Sequence, residues 1–303
     1  MSFTILIPAK NDPAGMTKDC LAAALHSCRT LSIVPKFILV SDQSDEQDHI
    51  LRLFTEFRLA NPDLSVRIFR ADKWLHYTGV FSLGLSAATR GDVFFLSNDM
   101  LLTPYFLTAI LGVATLAETS GVIRGTSNFT DSHPEHSVSP PTKLTGLDDI
   151  LRFSGSIFMT NGLLHQTDRL LSGDAVLVKR ALIDAIGVMD VRFFGYFGDV
   201  DYGVRARLAG FDLTCAKGAW LYHLAGGHMI REVEKTGGSW QAHKTNRMRL
   251  VRDAYLAFRK KWNLALPESF SGTPDFFHLI SPDPSRDLRY DLPADFWTAV
   301  QEI

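Results

Sequence analysis

The chain has 303 residues, of which 46% are hydrophobic and 21% charged, and its formal net charge at pH 7 is −2. The composition is close to ordinary globular usage, and the near-neutral charge argues against nucleic acid as a partner because it supplies no attraction toward phosphate backbones. The length fits one large α/β domain or two small ones.

The cysteines and the N-terminal sequence indicate in which cellular compartment the protein is expected. Cys20, Cys28 and Cys215 lack the spacing of a metal knuckle or a redox pair, and a reducing cytoplasm is the simplest expectation. The opening MSFTILIPAK has no basic leader before an apolar stretch, so no signal peptide is predicted.

Residues 100–117 carry no charge and are long enough to raise the question of a membrane span. However, Thr103 followed by Pro104 is typical of a helix start, and Gly112 is one of several residues that dilute the apolar character. We therefore predict a buried helix beside a sheet.

Strands and helices alternate in the first half of the sequence. Apolar runs predict strands at 3–8, 36–42, 65–69 and 93–96, and helical spacing predicts helices near 17–31, 45–60, 78–89 and 103–117. This alternation predicts a parallel sheet with helices on both faces, in which ligands bind beyond the carboxyl ends of the strands.

The second half is less regular. The polar, proline-bearing stretch 125–145 is predicted to be a long loop, and its His133 and His136 are expected to be solvated because they have no obvious metal partners. Strands are predicted at 174–180, 212–216 and 219–223, and helices at 181–187, from near residue 199, and at 241–262. The proline-rich last forty residues support no assignment.

Polar residues follow two of the apolar strands directly. Ser41 and Asp42 end the second strand, and in GDVFFLSNDM (91–100) the fourth strand ends in Ser97, Asn98 and Asp99. Each carboxylate alone is explained as a helix cap or a turn residue. Because the ends of parallel strands meet on one rim, the two together favour a ligand site.

A further acidic group occurs in FFGYFGDVDYGVRARLAG (193–210). Asp199 stands at the start of a predicted helix, either as a simple cap or as a functional carboxylate. Asp201 has Arg205 four residues later, which predicts an ion pair at the surface or behind a site. His223 ends an apolar strand, where it is either a partly buried core residue or a ligand.

These motifs, in this order, resemble those of GT-A-fold glycosyltransferases of family 2, the large inverting group that uses nucleotide sugars. TILIPAKN (4–11) is similar to the first strand and turn of that family, LVSDQS (39–44) to its acidic second strand, and GDVFFLSNDM to the strand that ends in its metal motif. Residues 171–223 follow its long second signature, so that the resemblance covers about residues 3–262.

The resemblance implies a GT-A, Rossmann-like α/β domain at 1–240, with a mainly parallel central sheet flanked by helices, and a helical extension at 241–303 packed on it. It also implies a divalent metal, Mn²⁺ or Mg²⁺, and a role for each matching residue. Asp199 would be the catalytic base, Asp99 and His223 would bind the metal, and the nucleotide sugar would be bound by Pro8, Asp42, Ser97, Asn98, Gly173 and Asp174.

Two departures from the family pattern keep an alternative open. Ser97 stands where the metal motif has Asp or Asn, and Gly198 stands where a Glu precedes the catalytic Asp. A catalytically degenerate protein that binds a nucleotide sugar is the alternative. A nucleotidyltransferase would need a glycine-rich, basic first loop, and PAKNDPAG has one glycine and one lysine.

The expected partners are a UDP-sugar, from the habit of the family, and a glycan or lipid-linked acceptor bound by loops at 125–172 and by the C-terminal tail. The basic segment 243–262 would lie against anionic lipid, approach the diphosphate through Asn246 and Arg247, or be a solvated helix face. We expect a cytoplasmic protein, peripheral to the inner membrane face if that segment binds lipid.

Overall fold

The structure is a computed structural model that describes residues 3–12, 15–130, 134–171, 175–224, 233–234, 237–267, 274–281, 283 and 285–303. The strands within these ranges are β1 (Phe3–Ala9), β2 (Lys36–Ser41), β3 (Ser65–Ala71), β4 (Asp92–Leu96), β5 (Met100–Leu101), β6 (Ser120–Ser127), β7 (His165–Thr167), β8 (Ala175–Val178), β9 (Asp212–His223) and β10 (Val300–Glu302). The helices are α1 (Met16–Thr30), α2 (Gln47–Ala60), α3 (His76–Ala87), α4 (Pro104–Leu116), α5 (Leu147–Asn161), α6 (Arg180–Ile186), α7 (Gly198–Leu208) and α8 (Trp240–Trp262).

The strands form one sheet in the order β10-β3-β2-β1-β4-β8-β6-β9-β5, with β7 paired beside β9. Strands β3, β2, β1 and β4 are parallel, β8 is antiparallel to β4 and to β6, and β6 is parallel to β9. Strands β1, β2, β3, β4, β6 and β9 therefore all point the same way, and their carboxyl ends share one edge. The predicted mainly parallel α/β sheet is confirmed.

Helices cover both faces of the sheet because successive strand residues alternate in direction. On β4, Phe94 packs toward Phe106 of α4, with ring centroids 5.9 Å apart, while Phe95 stacks on Phe81 of α3 at 4.4 Å. All four rings are almost fully buried. Burying each one contributes roughly 1.5–3 kcal/mol, so both layers are fixed to the strand that leads into Ser97.

The predicted start of α4 is confirmed. Thr103 caps the helix by accepting a hydrogen bond from the amide of Phe106 at 3.1 Å, and Pro104 occupies its first turn. The helix has 13 residues and packs in the core. In the part of the chain that the structure describes, no helix combines the length and the apolarity needed to cross a membrane.

Three sequence-based assignments in the second half are corrected. The predicted loop 125–145 begins inside β6, and α5 occupies most of the stretch that follows, within the predicted acceptor loops 125–172. The two strands predicted at 212–216 and 219–223 are one strand, β9. A register shift against β6 separates its two halves, and between them Gly218 passes so close to Gly162 that a Cβ there would lie 2.1 Å from the Gly162 carbonyl oxygen.

The C-terminal half of α8 packs on α7 through a third apolar cluster. Phe258 and Trp262 of α8 are buried against Phe193, Phe197 and Val204. Further along the chain, β10 pairs antiparallel with β3 and completes the edge of the sheet. The proline-rich tail, for which the sequence supported no assignment, therefore contributes a strand.

Candidate functional site

A cavity of about 210 Å³ lies at the carboxyl ends of β1, β2 and β4. Every predicted nucleotide-sugar or metal residue that the structure describes lines this cavity: Pro8, Asp42, Ser97, Asn98, Asp99 and His223. The predicted Gly173 and Asp174 lie outside the described residues. The structure therefore brings together side chains from four separate segments at the edge where the sequence analysis expected a ligand.

Asp42 is buried, with 3% of its surface exposed, and its carboxylate is already held by the backbone. It accepts hydrogen bonds from the amides of Leu75 at 2.8 Å, Gln43 at 2.9 Å and His76 at 3.1 Å. Burial raises the pKa of Asp42 to about 6, although these amides and the Lys10 ammonium act in the opposite direction. Asp42 thus fixes the turn into α3 while it faces the cavity.

The turn that Asp42 holds carries an aromatic wall that sequence reasoning missed. The Trp74 and His76 rings are stacked, with centroids 4.6 Å apart and an interplanar angle of 25°. Lys10 Nζ lies 3.6 Å from the centroid of the Trp74 ring. Flat rings and a cation at a cavity edge suit a planar base and its attached anion. The available signal was the position of this loop directly after β3, on the same edge of the sheet.

Asn98 joins the metal-motif turn to the first loop of the chain. Its amide nitrogen donates to the carbonyl of Asn11 at 3.0 Å and to Thr17 Oγ1 at 2.9 Å. Ser97 accepts a backbone hydrogen bond from Met100 at 3.2 Å, which closes the turn. These bonds hold the turn rigidly, so that the side chain of Asp99 is presented from a fixed backbone.

Asp99 faces His223 across the two-stranded pairing of β5 with β9. Asp99 Oδ2 and His223 Nε2 lie 3.2 Å apart, and the two side chains are 15% and 11% exposed. Asn128 clamps the backbone of His223, accepting from its amide at 2.6 Å and donating to its carbonyl at 2.9 Å. The pair is therefore fixed in position and still reaches the cavity.

The environment of His223 fits a divalent cation. Its Nδ1 lies 3.3 Å from the carbonyl oxygen of Phe129, which can only accept, so a neutral ring that donates its Nδ1 proton there would offer its Nε2 lone pair to a cation held beside Asp99. Two ligand atoms about 2.1 Å from one ion, at adjacent coordination positions, lie about 3.0–3.4 Å apart. The observed separation of 3.2 Å falls in that range.

Asp199 is the second residue of α7 and is half-buried. Its Oδ1 lies 2.9 Å from the amide of Val200, and it is not among the residues that line the 210 Å³ cavity. The segment before it packs against a residue that lines the cavity, since a Cβ at Gly195 would lie 2.4 Å from the His76 ring. The structure thus brings the carboxylates of Asp42 and Asp99 into one cavity. Asp199 does not line that cavity.

The predicted ion pair of Asp201 with Arg205 is present, but the alternative that placed it at the surface is wrong. Asp201 and Arg205 do pair at 2.9 Å, but their side chains are 0% and 1% exposed. Lys261 Nζ approaches Asp201 at 2.7 Å, and Trp262 Nε1 donates to it at 3.0 Å. The pair is buried because α8 packs over it, and helical spacing alone did not predict that cover.

His136 is also misassigned by the sequence, because it is fully buried rather than solvated. Its Nε2 lies 2.7 Å from Asp168 Oδ1, and its Nδ1 lies 3.0 Å from Lys217 Nζ. His136, Asp168 and Cys215 have ligand atoms within 4.8 Å of one another. A cation does not fit there, because Lys217 donates to Nδ1 and Nε2 must then carry the proton that Asp168 accepts. His133 lies outside the described residues.

Comparison with solved structures supports the fold assignment. The mannosyltransferase PcManGT from Pyrobaculum calidifontis, in complex with GDP-Man and Mn²⁺, matches with a TM-score of 0.56 and 13% identity over 91% of this chain and 67% of that chain. GalNAc-T7 with UDP, GalNAc and Mn²⁺ matches with a TM-score of 0.54 and 12% identity over 73% of this chain and 43% of that chain. At these identities the likeness concerns the fold, which is the predicted GT-A fold.

Sequence comparison supports the family. The proteins Mb1552 from Mycobacterium bovis and MT1576 and Rv1525 from Mycobacterium tuberculosis, all described as uncharacterized, are 31% identical over 117 residues, which is 32% of this chain. The chain spans only 43% of the length of these relatives. A family model described as "Glycosyltransferase like family 2" matches residues 2–252. The chain therefore belongs to the glycosyltransferase-like family 2, as its motifs and their order predicted.

Proposed function

We propose that the protein is an inverting glycosyltransferase that moves a sugar from a nucleoside diphosphate to a hydroxyl group of an acceptor. The observation that carries this proposal is the Asp99–His223 pair, set at 3.2 Å in the same cavity as Pro8 and Asp42. One cavity thus offers oxygen and nitrogen ligands for a cation at one side and a flat, buried pocket at the other. A nucleoside diphosphate needs both features.

Asp99 and His223 would hold a divalent cation, Mn²⁺ or Mg²⁺. Such an ion supplies Lewis-acid neutralisation of the departing diphosphate charge. Lys10 lies in the same cavity and adds a second positive charge near the leaving group. The Ser97 hydroxyl stands where a second acidic ligand would be expected, so that we expect the bound cation to be exchangeable, with weak affinity.

Asp199 is the proposed general base. Of the two acids in the first turn of α7, Asp201 is fully buried and already bound to Arg205, Lys261 and Trp262. Asp199 is half-buried, and Gly195, four residues earlier, packs against the His76 ring that lines the cavity. It would take the proton from the acceptor hydroxyl as the hydroxyl attacks in line, which inverts the anomeric carbon.

The aromatic wall supports a nucleotide donor. Trp74 and His76 stack on each other at the cavity edge, and Asp42 is positioned behind them by three amides. UDP remains the proposed nucleotide from the resemblance, and Gly173 and Asp174 remain proposed sugar contacts. GDP is the first nucleotide to compare with it, because a solved structure of the same fold holds GDP-Man.

The acceptor is proposed to be a glycan or a lipid-linked oligosaccharide, bound from a cytoplasmic site. The basic residues of α8 support a peripheral membrane contact, since Arg249, Arg252 and Lys260 are exposed. Arg247 lies 5.9 Å from the Tyr196 ring, and Tyr196 contacts His76, so the helix also approaches the cavity wall. We propose residues 1–240 as the catalytic domain and 241–303 as an extension packed on it.

The alternative of a nucleotide-sugar-binding protein without activity has one supporting observation. A Cβ at Gly198 would lie 2.5 Å from Thr78 Cγ2 and Oγ1, so Thr78 fills the place where the family has a Glu side chain. The distinguishing experiment incubates the protein with a panel of UDP- and GDP-sugars, with Mn²⁺ or with EDTA. Metal-dependent release of the nucleoside diphosphate supports the transferase. Ligand protection from thermal unfolding with no released diphosphate supports the binding protein.

A further inference from the structure

Arg124 is a buried arginine with no ion-pair partner among the residues that the structure describes. It stands in β6, is 5% exposed, and its Nε and Nη1 have no hydrogen-bond partner within the described ranges. A buried guanidinium that has lost water without gaining acceptors costs several kcal/mol. A fold retains such a group when something other than the folded chain supplies the acceptor.

Arg205 is the matched case within the same protein. It is 1% exposed, but it donates to Asp201 and to the carbonyls of Ile186, Val188 and Leu288. The fold therefore supplies an acceptor to each nitrogen of the Arg205 guanidinium and leaves Arg124 Nε and Nη1 without one among the described residues. Burial alone does not explain the difference between the two.

The register of the sheet relates Arg124 to the cavity. Phe95 of β4 pairs with Val176 of β8, Val176 pairs with Arg124, and Arg124 pairs with Cys215 of β9. Residues that pair across neighbouring strands project from the same face of a sheet. Arg124 thus shares the face of Phe95, which lines the 210 Å³ cavity, at a distance of two strand spacings, or about 10 Å.

The buried carboxylate of Asp168 does not neutralise Arg124. Asp168 Oδ1 is bonded to His136, while Asp168 Oδ2 is buried and has no hydrogen-bond partner among the described residues. Burial raises the pKa of Cys215, the charge of Asp168 raises it further and that of Arg124 lowers it, so both charges lie near the same thiol. They are nevertheless not within ion-pair distance of each other. A water molecule that bridged the two would make Arg124 a structural residue.

We propose that Arg124 reads an anionic oxygen, a carboxylate or a phosphate, carried by the sugar or by the acceptor that enters beside Phe95. The planar guanidinium fork binds such groups through two parallel hydrogen bonds, which are strong in a site that excludes water. This inference rests on the proposed glycosyltransferase function. It adds that one substrate is acidic near the reacting sugar.

The first test is a ligand-free melting experiment on the full chain. Arg124→Met replaces the unpaired charge by an apolar side chain of similar length, and we expect its melting temperature to rise by a few degrees. Arg205→Met is the matched control and must melt lower, because it leaves Asp201 buried beside fewer cations. If Arg124→Met instead melts lower, and adding Asp168→Asn restores part of the loss, Arg124 is the structural partner of Asp168 and the inference is wrong.

The second test identifies the source of the anion, with Mn²⁺ and nucleotide present. One arm compares UDP-glucuronate with UDP-glucose, and the other compares glycerol 1-phosphate with glycerol in the presence of UDP. We expect the anionic member of one pair to protect the wild type at least tenfold better, and Arg124→Met and Arg124→Lys to lose that preference. Equal preferences in wild type and variants overturn the inference.

A melting experiment with UDP and Mn²⁺ but no sugar distinguishes a failure of this inference from a failure of the proposed function. Their protection should be the same in wild type and Arg124→Met, because Arg124 is not proposed to contact the nucleotide. No protection of the wild type by UDP or GDP would count against the proposed donor. The ligand-free melting temperatures of the two arginine variants would still decide the role of Arg124.

Discussion

His223 Nε2 lies 3.2 Å from Asp99 Oδ2, although 124 residues separate the two positions in the chain. The contact follows from the antiparallel register of β5 with β9, in which Met100 pairs with His223. An unfolded chain does not hold these two groups together. Cation binding at this pair is therefore coupled to folding, which gives the site a readout independent of catalysis.

Asp99→Ala should remove that coupling. We expect Mn²⁺ to raise the melting temperature of the wild type, by an amount equivalent to about 2.7 kcal/mol when its concentration is a hundred times the dissociation constant. The variant should show no such rise and no metal-dependent donor binding. Asp63→Ala, at a carboxylate that is 64% exposed, is the control and should behave like the wild type. An unchanged Mn²⁺ response in Asp99→Ala would mean that the cation binds elsewhere.

Asp199→Asn should abolish turnover and leave nucleotide affinity nearly intact. The amide cannot accept the acceptor proton, and losing a general base typically lowers the rate by about 10²–10⁴-fold. Steady-state assays of diphosphate release and nucleotide titrations measure the two effects separately. An active Asp199→Asn enzyme would reduce Asp199 to a helix-terminal residue.

Asp201→Asn should produce the opposite pattern. Asp201 is fully buried and shared by Arg205 and Lys261, so losing its charge leaves Arg205 without a counter-charge and Lys261 with Asp190 alone. Breaking such a buried pair costs about 3–5 kcal/mol. Chemical denaturation should detect this loss, while the activity per folded molecule stays close to that of the wild type. A stable but inactive Asp201→Asn variant would move the base from Asp199 to Asp201.

The stability of the protein should depend on Asp42 between about pH 4 and pH 6. Burial raises the folded-state pKa of this carboxyl from 3.8 to about 6. The folded state therefore binds the additional proton in this interval, and the free energy of unfolding falls as the pH rises, by up to about 3 kcal/mol. Asp42→Asn should lower stability overall, since an amide accepts fewer of the backbone hydrogen bonds, and should flatten this part of the profile. Parallel profiles for both proteins would contradict the raised pKa.

Gly198 and Thr78 should be coupled. A Cβ at position 198 would lie 2.5 Å from Thr78 Cγ2 and Oγ1, so Gly198→Ala overpacks the contact and should cost about 1–3 kcal/mol. Thr78→Ala removes both of those atoms. The double variant should recover most of the stability lost in Gly198→Ala, and a double-mutant cycle by denaturation measures the coupling. Additive effects would mean that the backbone moves to relieve the contact.

The sequence predicted the first half of the fold well because each strand there is a compact apolar run followed by an amphipathic helix. It missed β6 for a physical reason. SGVIRGTS contains Arg124 and two glycines, and at Gly125 a Cβ would lie 2.3 Å from the ring of Phe106. The neighbouring helix leaves room only for glycine at that position. Because glycine has a low strand propensity, the segment was not predicted as a strand.

The positions of the strand ends predicted part of the candidate site. Asp42 and Asp99 follow from parallel strands whose ends share one edge, and Pro8 and His223 follow from the resemblance to the family. Trp74 and His76 do not, because their stacking depends on a turn that Asp42 holds from another strand. The burial of His136 could not be predicted from the sequence for the same reason. Its partners Asp168 and Lys217 lie 32 and 81 residues further along the chain, and only the folded sheet brings them to it.

The pairing of β10 with β3 has a consequence for biosynthesis. Val300 pairs with Ala71, and Glu302 pairs with Phe69, so this border of the sheet depends on a segment made more than two hundred residues later. Until the ribosome has released that segment, β3 presents a row of free amides and carbonyls to any passing strand. Nascent chains stalled before position 300 should therefore be the species that chaperones retain.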